Sequence, residues 1–92
     1  MPYAPHTASM IKRGPRNLGK KLGRAALLLD FSVVRVATAT GATRQTVYNW
    51  ITGGEVMSPY RPVVERLLSI LSAARTADDA WAQACLDFHL HA

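Results

Sequence analysis

The sequence predicts an all-α domain, a compact bundle of about five helices. Three observations lead there. Apolar residues recur three and four positions apart in successive stretches of the chain. Cap residues, glycines and prolines punctuate those stretches. No run alternates apolar and polar residues with the period of two that a half-buried strand requires.

Each element has its own local signal. Residues 1–16 hold Pro2, Pro5, Gly14 and Pro15 and little apolar material, which predicts a flexible arm. Asn17 is placed to cap a helix beginning near Leu18. On its wheel Leu18, Leu22, Ala25 and Leu29 share a stripe, and Lys20 and Arg24 point away from it. Gly19 and Gly23 weaken this helix by about 1 kcal/mol each relative to alanine. Asp30 and Phe31 interrupt the stripe. Ser32 is the next cap, for a short helix over 33–39 with Val33, Val36 and Ala37 inward. Gly41 suits a left-handed turn. Thr43 then caps a helix over 44–52, with Val47 and Trp50 inward and Gly53-Gly54 ending it.

Ser58-Pro59 reads as a cap followed by proline at the first helical position. Val63, Val64, Leu67, Ile70 and Leu71 then form a broad apolar face, with Glu65, Ser69 and Ser72 opposite. Thr76 caps a last helix running to about Leu90, with Asp78 and Asp79 favourably placed in its first turn. The resulting division is an arm over 1–16, a main domain over 17–75 and a C-terminal helix over 76–92.

Ninety-two residues make one domain with a thin core. A hydrophobic content of 49% excludes a fully disordered chain. The single cysteine, Cys85, excludes an intrachain disulfide framework and a thiolate zinc finger. No apolar run approaches the roughly 20 residues that span a bilayer, and the first ten residues lack the apolar middle of a secretory signal. The expectation is a soluble cytoplasmic protein with no membrane partner.

The net charge of +5 is unevenly distributed. Lys12, Arg13, Arg16, Lys20, Lys21, Arg24, Arg35 and Arg44 stand in the first half against Asp30 alone. The second half is mildly acidic. Such asymmetry suits a polyanion bound on one side only.

Residues 33–52 carry the functional signal. Two short helices that cross steeply need a small residue at the crossing, and Ala37 supplies it. The turn needs a residue tolerant of positive φ, and Gly41 follows four residues later. The second helix needs inner apolar anchors, and Val47 and Trp50 supply them. These are the spacings of a helix-turn-helix. The stretch VVRVATATGATRQTVYNW over 33–50 resembles the helix-turn-helix of the lambdoid phage repressor and Cro proteins. The likeness extends through Gly53-Gly54, the proline-bearing loop and the apolar helix near 63–71, covering about residues 18–72. Val33 stands where family members often carry glutamine, and residues 1–16 and 73–92 have no counterpart in the shared core.

The resemblance implies a lambda-repressor-like fold and sequence-specific binding of double-stranded DNA by a transcriptional regulator, without cofactor or small-molecule substrate. It implies base readout by Arg44, Gln45 and Asn49. The chemistry agrees, because arginine pairs bidentately with guanine, and glutamine or asparagine with adenine, in the major groove. Thr43, Thr46 and Tyr48 suit phosphate, and Thr46 and Tyr48 also suit a thymine methyl. Arg35, Lys20, Lys21 and Arg24 could flank the DNA backbone. Lys12, Arg13 and Arg16 suit phosphates or a minor groove, as in the arms of some family members, and otherwise form a solvated tail.

One short recognition helix meets only a few base pairs, so a homodimer is expected. In the last helix Ala77, Trp81, Ala84, Cys85 and Phe88 form one stripe, and Leu86 and Leu90 a second, nearly opposite. One stripe packs inward and the other meets a partner subunit, which makes Trp81, Cys85, Leu86, Phe88 and Leu90 the dimerisation candidates. Cys85, His89 and His91 lie close together but lack the further ligands a zinc site needs. No phosphate loop, nucleophile motif or cofactor fingerprint is present, so an enzyme is not expected. A packaging subunit of the small-terminase type and an antitoxin-like module binding another protein are the alternatives.

Overall fold

The structure, a computed structural model, describes residues 3–12 and 17–90. It is all-α, and no strand occurs among the described residues. The order is α1 (Pro5–Lys12), α2 (Leu18–Leu29), α3 (Val33–Thr40), α4 (Arg44–Ile51), a 3₁₀ turn over Ser58–Tyr60, α5 (Arg61–Ala73) and α6 (Ala77–Asp87).

Side-chain caps start four of these helices. Asn17 Oδ1 accepts from Lys20 N at 2.9 Å, and Ser32 Oγ from Arg35 N at 3.2 Å. Thr43 Oγ1 accepts from Thr46 N at 3.2 Å, and Thr76 Oγ1 from Asp79 N at 3.1 Å. Each bond satisfies an amide that the helix itself cannot. Helix α3 ends as expected at Gly41, in the left-handed region at φ 78°. Helix α2 ends at Asp30, which adopts φ 57° and lets Phe31 turn back into the core.

The core forms around α2, which packs against both α4 and α5. Leu22, Phe31, Val36, Val47, Ile51, Val64 and Leu67 are fully buried, and Trp50 nearly so. Tyr60 of the 3₁₀ turn packs obliquely on Trp50, with ring centroids 5.2 Å apart.

Three local expectations are corrected. The inner face of α2 is Gly19, Leu22, Gly23, Ala26 and Leu27, whereas Leu18, Ala25 and Leu29 are only half-buried. Glycine has no side chain to mark a buried face, so the expected stripe, which still packs against the core, lies beside the most buried face and shares Leu22 with it. Ser58 does not cap α5. The chain passes first through the 3₁₀ turn, whose own cap position, Met57, makes no side-chain bond. The last helix stops at Asp87 instead of near Leu90, because His89 adopts φ 56° and Leu90 N bonds back to Cys85 O.

The α2 glycines are space requirements. A Cβ on Gly19 would lie 2.3 Å from Trp50 O, and one on Gly23 would lie 2.8 Å from Ile51 Cβ. Gly41 has nothing within 4 Å of such an atom, so only its φ constrains it. Gly19→Ala should therefore lower stability by about 3 kcal/mol despite its better helix propensity. Gly41→Ala should cost about 1 kcal/mol. Urea unfolding of the two variants checks the order, and a Gly19→Ala protein as stable as the parent contradicts the close crossing.

Candidate nucleic-acid interface

Helix α4 is held by one face and open on the other. Val47, Trp50 and Ile51 are buried, while Arg44, Gln45, Tyr48 and Asn49 are exposed. Eight residues give a rod about 12 Å long. Gln45 Nε2 donates to Asn49 Oδ1 at 3.3 Å, so the two amides form a short ladder along this face. Arg44 adds a planar five-donor fork at the helix start. Thr43 caps the helix, and its hydroxyl lies 3.0 Å from that of the half-buried Thr46. The structure thus gathers Arg44, Gln45, Tyr48 and Asn49 on one exposed strip, with Thr43 and Thr46 at its edge.

The loop after α4 belongs to the same surface, beyond the residues that the sequence marks for DNA contact. Gly54 N donates to Asn49 O at 2.6 Å, and a Cβ on Gly54 would also lie 2.6 Å from that oxygen. The chain is thereby folded tightly back along α4. Thr46, Asn49, Thr52, Gly54, Glu55 and Met57 line the open groove between them, about 550 Å³ in volume. The Gly53-Gly54 pair is the signal the sequence offers for this turn.

The cations expected to flank DNA separate into two groups. Lys20 is 5% exposed, and its ammonium donates to Met10 O at the end of α1, so it is a buried structural group and not a phosphate contact. Arg24 Nη2 donates to Lys12 O at 2.9 Å. Arg35 pairs with Asp78 at 3.2 Å and lies over the Trp81 ring, 5.4 Å from its centroid. That contact turns Arg35 towards α6. Lys12 and Lys21 keep exposed side chains. Arg13 and Arg16 lie outside the described residues.

The expected arm is corrected over 3–12. These residues include α1, and they dock on the domain. Ile11 is fully buried, near where a Cβ on Gly23 would sit, and Tyr3 OH donates to Phe31 O at 2.6 Å. Two isolated apolar side chains among prolines and polar residues gave no periodic signal. They nevertheless dock the helix, Ile11 beside Gly23 and Tyr3 on Phe31, together with the bonds from Lys20 and Arg24 to its last turn.

Helix α6 packs its first stripe inward as expected, with Ala77, Trp81 and Phe88 against the core, and its second stripe is corrected. Ala80 and Ala84 are its fully buried residues, whereas Trp81, Cys85, Phe88 and Leu90 are half-buried. Trp81 meets Phe31 at 6.2 Å, and Phe88 and Leu90 pack against the domain's own core. Leu90 lies beyond the helix end, so Leu86, 73% exposed, is the one member of the second stripe that faces outward. Hydrogen bonds from Gln83 and Arg66 hold the Asp87 carboxyl below its ordinary range, and the one from Arg66 ties α6 to α5.

Among the described residues no cluster of three or more His, Cys, Asp or Glu could hold a metal ion. None of the described helices is long and apolar enough to cross a membrane. No protein-family model, curated protein or solved structure matches this chain.

Burial raises the Tyr3 phenol well above its usual value, with smaller contributions from Tyr48 and Asp30. The folded value exceeds the unfolded one, so this docking is at full strength below about pH 10 and weakens as pH rises further. Ultraviolet titration should show one of the three tyrosines ionising late, and Tyr3→Phe should remove that late step. Uniform titration of all three would contradict the docked N-terminal segment.

Proposed function

We propose that this protein binds double-stranded DNA sequence-specifically through the exposed strip of α4. The observation that supports this most directly is the division of that helix. Its inner residues are wholly buried, and its outer residues are the amide and guanidinium types that pair with base edges. The three-residue connection Gly41-Ala42-Thr43 from α3 and the capped start of α4 suit a helix-turn-helix, with α4 as the recognition helix in the major groove.

The function proposed is that of a transcriptional regulator occupying an operator, as in the phage repressor and Cro proteins that the sequence resembles. Repression follows if the occupied site blocks polymerase. A strip of four residues covers few base pairs, so the proposal includes a homodimer with two strips about 34 Å apart on a two-fold site. Leu86 is the exposed apolar residue of α6 available to such a contact.

Selection of bound duplexes from a random pool should return a two-fold symmetric motif. Arg44→Ala should weaken binding to that motif by about 1–3 kcal/mol and relax the preference at one base pair. Its effect on random duplex should be much smaller. Equal losses on both duplexes would remove Arg44 from base readout, and a pool without any motif would point to packaging or architectural binding instead.

A further inference from the structure

The groove beside α4 holds a carboxylate where a DNA-binding surface would ordinarily exclude one. We propose that Glu55 extends the recognition surface beyond α4 and selects a cytosine next to the bases met by Asn49. This rests on the reading of α4 as the recognition helix.

Three observations support the assignment. Glu55 is exposed and forms no ion pair among the described residues, so its carboxylate is open to a donor from outside the chain. Its backbone follows directly on Gly54, whose amide is bonded to Asn49 O, which keeps residue 55 beside the end of the α4 strip. It lines one open groove with Asn49, Thr52 and Met57, the last 62% exposed.

The chemistry then narrows the partner. A carboxylate only accepts hydrogen bonds, and phosphate oxygens repel it. The donors in a major groove are the exocyclic amines of cytosine and adenine. Adenine places its N7 acceptor beside the amine, which suits an amide side chain and opposes a carboxylate. Cytosine offers the amine beside an apolar C5 edge, and the exposed thioether of Met57 in the same groove suits that edge. The same charge penalises random duplex, where phosphate attraction supplies nearly all of the binding. Glu55 thus raises the ratio of specific to random binding by acting on both terms.

The test is random-pool selection with the full chain, the Glu55→Gln variant and the Glu55→Ala variant. The parent motif should contain a cytosine flanking the α4 contacts. Both variants should keep the rest of the motif, lose that preference by about tenfold, and bind random duplex several-fold more tightly. Glu55 is exposed, and circular dichroism should show both variants folded like the parent. An unchanged motif in the variants overturns this proposal and leaves the α4 reading intact. A parent pool with no motif overturns both.

Discussion

The whole arrangement depends on how closely α2 can lie against α4. Gly19 meets the Trp50 carbonyl and Gly23 meets the Ile51 side chain, with no room for even a methyl group. Two glycines one helical turn apart therefore set the depth and the pose of α4. Trp50 and Ile51 are drawn inward at this crossing, and the opposite face of α4 is thereby turned outward. The same bare surface admits Ile11, so the N-terminal helix docks where the other two meet. The helix-propensity cost of the glycines is about 1 kcal/mol each, small beside the steric cost of any replacement at a 2.3 Å approach.

Charge is partitioned by the same packing. Lys20 and Arg24 lie on the helix that carries the glycines, and both donate to carbonyls at the end of α1. They complement the negative end of that helix and help to hold it. Arg35 is turned onto Trp81 and Asp78, joining α3 to α6. A count of basic residues therefore overstates the charge available to a polyanion. What stays outward near α4 is mainly Arg44 and neutral amides, with Glu55 beside them. That mixture favours discrimination between bases over bulk attraction to phosphate.

The helices from Asn17 to Thr76 were legible in the sequence because each begins with a side-chain cap or a proline and carries apolar residues at helical spacing. The exposed strip of α4 was legible too, since Val47 and Trp50 alone decide which way Gln45 and Asn49 face. The inner face of α2 was not, because glycines bury backbone and leave no apolar mark. Helix α1 was hidden for a related reason, as its docking uses single residues far apart in the chain, Tyr3 against Phe31 and Ile11 against Gly23. The groove holding Glu55 follows from a backbone bond between Gly54 and Asn49, which no side-chain pattern announces. The long-range role of Lys20 was likewise invisible, because a lysine on a helical wheel looks the same whether it faces water or a neighbouring carbonyl.

The most direct test of the central claim is an amide chemical-shift map of the protein titrated with duplex DNA carrying its selected motif. The largest changes should fall at Arg44, Gln45, Tyr48 and Asn49, continuing into residues 54–57, with the α5–α6 side nearly unmoved. Changes confined to α5 and α6, or none at any duplex concentration, would contradict that claim.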